Sequence, residues 1–384
     1  MNKIVCLSTS TWHPLPTRKQ HVMSRLSNTE ILYFDPPITL IAPIKDRRCA
    51  RRLFSFRKPG EQVRNNITVY SLPPVLPFYN KFRIINKINQ RIIAGYVRRR
   101  MKRHGFDKPI LWCYSPMSGD AVKNIPHSAL VYDCVDRHSA YKGLINVETV
   151  NKMEADLARK SDQVLATAIG LYDTLSSYNP DAVMLPNGVN FEHFNSGAFG
   201  ALPVPDDMIN LQRPIIGFSG MLQECIDYAA IEQVAKERPD WSVVLVGGPM
   251  PGVNLDYLKK YSNIHFLGLK KYDEMPAYLG AFDVCLNAFR SGNLAKDVSP
   301  LKFFEYLAVG KPVVSTPQPE QVLGYSDAVY ISYGLSDFVA KCEIALSEPD
   351  DSKSKLRITY GRACSWEARV REIEELLKEK GILE

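Results

Sequence analysis

Residues 297–312 read DVSPLKFFEYLAVGKP and bring together groups able to bind a phosphate and a sugar. Asp297 and Glu305 lie eight residues apart, with Lys302 between them. Ser299 and Pro300 read as a helix start, the serine capping a backbone N–H and the proline taking the first helical position. From there Leu301, Phe304, Tyr306 and Ala308 can face a core, and Gly310-Lys311-Pro312 ends the helix. A helix N-terminus beside an ammonium group is an anion site, because the unpaired N–H groups and the dipole point at one place. Glu305, one turn further on, is placed to accept hydrogen bonds from two vicinal hydroxyls such as those of a ribose. Diphosphate plus ribose means a nucleotide. The plainer reading of the segment is an amphipathic helix with ordinary surface charges.

Three other segments carry chemistry. IGFSGML (216–222) places Gly217 and Gly220 at the end of an apolar run, where bare backbone can approach a phosphate, but it lacks the GxGxxG spacing of a dinucleotide fingerprint. VYDCVDRHSAYKG (131–143) follows another apolar run, so its polar end should emerge where ligands bind. Asp133, Asp136, Arg137 and His138 are all candidates there, with Asp133 the more structural acid because it lies inside the strand end. The loop Ser8 to Lys19 offers Trp12, His13, Arg18 and Lys19. Arg18 opens the next helix, where it can meet a phosphate or carboxylate or remain solvated, and His13 reads as a structural loop residue.

Elements must hold these groups in place. Short apolar runs alternate with helical patterns along all 384 residues, the signature of parallel α/β sheets. Strands are predicted at 3–8, 30–34, 67–72, 109–114, 129–134, 163–167 and 182–185, and the pattern restarts at 214–218, 241–246, 264–267, 282–286, 312–315 and 328–331. The Gly-, Pro- and Asn-rich run Pro186 to Pro205 fits an inter-domain connection. Two doubly wound, Rossmann-like domains facing across a cleft are therefore expected, at 1–186 and 187–365, with the C-terminal helix 366–384 able to pack back on the first. Ligands of such sheets sit at the carboxyl ends of the strands.

Charge divides along the same line. Residues 1–195 hold 28 Lys and Arg against 15 Asp and Glu; the remainder holds 20 against 26. Within the basic half, KDRRCARRLFSFRK (45–58) has seven cations and one acid, and KFRIINKINQRIIAGYVRRRMKR (81–103) has nine cations and no acid. In the second stretch Ile84, Ile85, Ile88, Ile92 and Val97 make a roughly helical apolar stripe. Such a helix can lie on an anionic membrane, pack its stripe into the core behind a solvated face, or bind nucleic acid. The first is favoured and nucleic acid is not expected. No stretch approaches the roughly 18 apolar residues of a membrane span, the N-terminus lacks a secretory apolar region, and the eight cysteines are scattered without CxxC spacing. These features predict a cytoplasmic protein, peripheral on the inner face of the cell membrane. No DxD motif stands at a strand end and the histidines are dispersed, so neither metal nor cofactor is expected.

With this organisation the chain resembles nucleotide-sugar glycosyltransferases of the GT-B fold, and more closely the bacterial teichuronic-acid and exopolysaccharide family that includes xanthan-type glucuronosyltransferases. The resemblance rests on 8–26, 131–143, LPNGVNFEHF (185–194), 216–222, 299–314 and SWEARV (365–370). It implies an acceptor-binding first domain and a donor-binding second domain. Donor diphosphate would lie between Gly220-Met221 and the helix start Ser299, Leu301 and Lys302, with Glu305 on the ribose and backbone at Leu269 meeting the base, uridine by family alone. Lys302 would neutralise the leaving diphosphate. Asp136 stands at the place of the xanthan-type catalytic aspartate, a base for the acceptor hydroxyl, with His138 its rival. Retaining relatives carry two glutamates eight apart; here Asp297 fills the first place. Arg18 or Arg137 would hold the carboxylate of a UDP-glucuronic acid donor. The acceptor would be lipid-linked or a polysaccharide. A sugar-nucleotide epimerase of the same architecture and a non-catalytic nucleotide-sugar-binding partner remain the alternatives.

Overall fold

The computed structural model describes residues 1–141, 143, 145–292 and 296–384; positions 142, 144 and 293–295 and the side chain of Lys45 lie outside that description. The chain divides into two compact units, Met1–Pro186 with Val370–Glu384, and Asn187–Arg369.

The first unit is built on β1 (Asn2–Leu7), β2 (Thr29–Asp35), β3 (Glu61–Arg64), β4 (Ile67–Ser71), β5 (Ile110–Cys113), β6 (Ala129–Cys134), β7 (Gln163–Ala166) and β8 (Val183–Met184). They form one sheet in the order β3-β4-β2-β1-β5-β6-β7-β8. Pairing is parallel except at β3–β4. In β1, Ile4 pairs with Ile31 on one side and Ile110 on the other. The central strands are buried on both faces, which is why they read as continuous apolar runs. Strand β3, EQVR, escapes sequence reading because it is polar and exposed; only its antiparallel pairing with β4 makes it a strand.

The second unit holds β9 (Ile215–Ser219), β10 (Ser242–Val246), β11 (Ile264–Gly268), β12 (Val284–Asn287), β13 (Val313–Ser315) and β14 (Tyr330–Ile331), all parallel, in the order β11-β10-β9-β12-β13-β14. This is the 3-2-1-4-5-6 winding of dinucleotide-binding folds, reversing between β9 and β12. The first unit reverses between β1 and β5 in the same way. The two doubly wound units expected from the sequence are present.

Two elements need a closer description. The run from Pro186 is not a loose connection: Val189, Phe191 and Phe194 are buried in the core of the second unit, and Asn195 Nδ2 donates to Ala308 O at 2.8 Å. In helix Arg83–Arg103 the alternative of a core-packed stripe does not hold, since of its five residues Val97 is in the core and Ile84, Ile88 and Ile92 are not. Its core face is Ile93, Ala94, Val97 and Met101 together with buried Asn86, Asn89 and Gln90, while Ile84, Ile88 and Ile92 are 66%, 42% and 53% exposed. Asn86 and Asn89 are buried because loops on either side satisfy them, and Gln90 donates to Asn86 Oδ1. Asn89 accepts from Leu76 N–H and donates to Leu76 O, and Asn86 donates to Met117 O and Asp120. The two basic stretches also meet: Tyr96 donates its hydroxyl to Phe56 O at 2.8 Å, and the Phe56 and Tyr96 rings pack edge to face.

Candidate functional site

The switch point of the second sheet gathers one set of groups. Strand β9 ends in Ser219, whose N–H donates to the Tyr306 hydroxyl at 2.8 Å, tying helix Leu301–Val309 to the strand end. The next residue, Gly220, packs against Lys302: a Cβ built there would lie 3.2 Å from Lys302 Cε and 3.5 Å from Nζ. On its other side stands Gly247, at φ 148°, where a Cβ would come far inside van der Waals contact with Gly220 O, so only glycine fits. Gly220 N–H donates to Val246 O, and Gly247 N–H to Gly268 O. Three strand ends thus converge as nearly bare backbone. Met221 follows at 37% exposure, and Leu269, just past β11, is 71% exposed.

Helix Leu301–Val309 starts differently from the sequence expectation. Pro300 itself occupies the cap position, and no side chain caps the helix. Ser299 is turned elsewhere: its hydroxyl accepts from Asn187 N–H and its carbonyl from Asn187 Nδ2, both at 3.1 Å. Phe303 N–H donates to Pro300 O at 3.2 Å, and no side chain caps the start of the helix before it. Leu301, expected in the core, is 41% exposed at this start, whereas Phe303, Phe304, Tyr306 and Leu307 are buried. Lys302 Nζ lies 4.1 Å from the Phe218 ring centre and 4.9 Å from that of Phe289, so aromatic faces hold the ammonium at the strand ends.

Lys302 and Glu305 keep some exposed area, but their charged ends are densely surrounded. Burial pulls the Lys302 ammonium down to about 8, against the fields of Cys225 and Glu305. It pushes the Glu305 carboxyl up to about 7, offset in part by Lys302. Asp297 is buried at 9% exposure. Gly247, Phe289 and Asn187 were not singled out in the sequence and Tyr306 was read only as core-facing, although Gly247-Gly248 after WSVVLV repeats the strand-then-glycine signal seen at Gly220.

In the first unit the loops after β1, β5 and β6 border a cavity of about 310 Å³, lined by Lys19, Asp136, His138 and Tyr141 among others. Asp136 is exposed, and its carboxylate accepts from the Tyr141 hydroxyl at 3.2 Å. His138 is 4% exposed; Nε2 lies 3.1 Å from Tyr114 O, which can only accept, so this nitrogen carries the proton and Nδ1 does not. Burial lowers its pKa to about 4, against the pull of Asp136, and the ring is neutral at physiological pH.

Two residues expected to contact a ligand bond to the protein itself. Arg18 is 3% exposed, its Nε 3.0 and 3.1 Å from the carboxylate oxygens of fully buried Asp133, while Nη1 donates to Leu185 O and Pro186 O. Arg137 donates to Gly170 O and Thr174 Oγ1 on helix Ile169–Ser176. Neither lines the cavity. Among the described residues, no group of three or more His, Cys, Asp or Glu is placed to hold a metal ion.

Two doubly wound α/β units, each with its chemistry-bearing loops at the carboxyl ends of the strands around the switch point, define the GT-B fold. Solved structures of this fold cover nearly the whole chain. They include sucrose-phosphate synthase from Thermosynechococcus elongatus (14% identity, 99% of each chain, TM-score 0.71). An E. coli structure described as trehalose-6-phosphate bound with UDP-2-fluoro glucose matches at 12% identity over 98% of this chain and 99% of that one, TM-score 0.72. Anabaena Alr3699/HepE in complex with UDP matches at 13% identity over 99% of this chain and 100% of that one, TM-score 0.66. Residues 213–346 carry a domain matching the family described as Glycosyl transferases group 1. A Bacillus subtilis (strain 168) protein named as a teichuronic acid biosynthesis glycosyltransferase, TuaH, is 26% identical over 264 residues, 64% of this chain. The match spans 65% of that relative's length.

Proposed function

We propose that the protein is a glycosyltransferase that moves a sugar from a nucleotide-sugar donor, a UDP-sugar in our reading, to a lipid-linked or polysaccharide acceptor of the bacterial cell surface. The observation that carries this reading is the meeting of Gly220, Lys302 and an uncapped helix start at the switch point of the second sheet. An anion there has backbone N–H groups, a helix dipole and an ammonium at one point. The likeness to chains solved with UDP and a UDP-sugar supports the same choice of donor.

In this mechanism Lys302 and the helix start take up the charge that grows on the departing diphosphate, so the step needs neither metal nor cofactor. Glu305 accepts the ribose hydroxyls. Asp136 removes the proton from the acceptor hydroxyl as it attacks the anomeric carbon; its carboxylate is exposed at the cavity wall and oriented by Tyr141. His138 suits the role less, being nearly inaccessible and a weak base at about 4. Arg18 and Arg137, the cations considered for a glucuronic acid carboxylate, already bond to the protein, Arg18 through Nε and Nη1.

The same reading places the enzyme at an anionic membrane. Helix Arg83–Arg103 exposes Ile84, Ile88 and Ile92 on one face, with Arg91, Arg98, Arg99 and Lys102 exposed along the helix. The stretch pinned beside it exposes Phe54 at 58%. Among the described residues, no helix is long and apolar enough to cross a membrane.

The test is a screen of purified protein against a panel of nucleotide sugars, reading nucleotide release with and without a glycan acceptor. One donor should give acceptor-dependent release that Asp136→Asn abolishes while UDP affinity stays within about threefold. A changed sugar in the absence of acceptor would mark an epimerase. UDP binding with no release from any donor would mark a binding protein. Retained transfer in Asp136→Asn with loss in His138→Ala would move the base to the histidine.

A further inference from the structure

Two consecutive cations leave the loop after β1, and the structure treats them differently. Arg18 and Lys19 are 3% and 8% exposed. Arg18 is matched by Asp133. Lys19 is not: among the described residues no carboxylate lies within 4 Å of its Nζ and no hydrogen-bond acceptor meets it, its recorded contact being the face of Tyr114 at 5.7 Å. It lines the 310 Å³ cavity, where among the described residues it is the one basic side chain apart from neutral His138. The amide oxygens of Asn86 and Asn89 in the same lining already accept from Gln90 Nε2 and Leu76 N–H. Among the described residues Asp136 is the one carboxylate of the lining, and it is engaged by Tyr141.

A buried ammonium that no carboxylate touches is costly: burial lowers its affinity for the proton, and the more distant fields of Asp136 and then Asp133 offset this only in part. A ligand that brings its own negative group offsets this cost; a neutral one does not. Building on the acceptor reading of this cavity, we propose that Lys19 reads an anionic group on the acceptor, so that the sugar held beside Asp136 carries a carboxylate or a phosphate. Lys19 is then a specificity determinant: it sets which acceptor enters, not how the proton leaves. The adjacency in sequence hides this, because Arg18 is the larger and more obvious anion binder.

The test measures binding to the full chain, without donor, of p-nitrophenyl β-glucuronide, glucose 6-phosphate and neutral p-nitrophenyl β-glucoside. Wild type should bind one charged ligand at least about tenfold tighter than the glucoside, the scale of one charge-assisted contact. Which one wins separates a uronic acid from a sugar phosphate. Lys19→Met should erase that preference while glucoside affinity stays within about twofold, and Lys19→Arg should restore part of it. Circular dichroism confirms folding, with Lys19→Gln as the substitute if the methionine variant misfolds. Equal affinity of wild type for charged and neutral ligands, or a preference that survives Lys19→Met, overturns the proposal. Binding of none of the three removes the acceptor reading and the proposal with it. Charge preference without transfer from any donor would sink the transferase function and leave the anion site standing.

Discussion

Lys302 and Glu305 sit one helical turn apart, and burial moves their proton affinities toward each other, to about 8 and about 7. Each has to be charged to do its part. The lysine must keep its proton to face a diphosphate, so affinity for UDP should be lost as pH rises through about 8. The carboxylate must have lost its proton to accept two hydroxyls, so affinity should also fall as pH drops through about 7. Calorimetric titration of UDP from pH 6 to 9.5 should therefore show a maximum near 7.5. The alkaline limb should vanish in Lys302→Ala and the acid limb in Glu305→Gln. Lys302→Ala should also slow turnover on the order of a hundredfold, or about 3 kcal/mol, with little change in melting temperature. A flat wild-type profile, or near-normal turnover in the alanine variant, would remove these groups from the nucleotide site. Single positions were legible in the sequence as residue types but not as partners. Nothing in the adjacent Arg18 and Lys19 says which is neutralised, because the deciding acid, Asp133, is 115 residues away.

Elements were more legible than the faces they bury. Apolar runs bounded by Gly and Pro mark the central strands, since both their faces are covered. Helix Arg83–Arg103 is the counter-example. The sequence leaves open which face its isoleucines take, and the core side includes three amides, two of which find partners in distant loops. The exposed face that results has an apolar row at Ile84, Ile88 and Ile92 and cations toward the C-terminal end. Arg100 does not belong to that face: its guanidinium lies 4.8 Å from the Tyr70 ring centre and 4.7 Å from that of Tyr96. Replacing Arg98, Arg99, Lys102 and Arg103 with Gln should abolish the salt-sensitive part of binding to anionic vesicles, at roughly 1 kcal/mol per charge. Attraction of this kind is screened beyond about 10 Å at 0.1 M salt. Replacing the three isoleucines with Asn should remove the part that persists in high salt. Transfer to a water-soluble acceptor should survive both changes. Equal flotation with neutral and anionic vesicles would leave the face without a membrane role.

At the scale of the whole molecule, the second unit is one continuous stretch, 187–369, placed inside the sequence of the first. Helix Trp366–Glu379 begins in one unit and ends in the other. Ile373 and Leu377 on it are fully buried, and Lys380 pairs with Asp181 at 3.1 Å. Each buried aliphatic side chain contributes roughly 1.5–3 kcal/mol, so the pair weighs heavily against the 5–15 kcal/mol typical of a domain. A chain ending at residue 369 should keep UDP affinity while its first unit melts earlier and is cut sooner by protease; unchanged protease resistance of residues 1–186 would contradict this. The same connectivity has a consequence on the ribosome. Residues 1–186 emerge first, but the stretch that completes them follows only after 187–369 have been translated, a delay of about 10–40 s at 5–20 residues per second. During that interval the earlier-made unit waits unfinished with its basic surface already in solution, while the later-made unit can fold as a single uninterrupted piece.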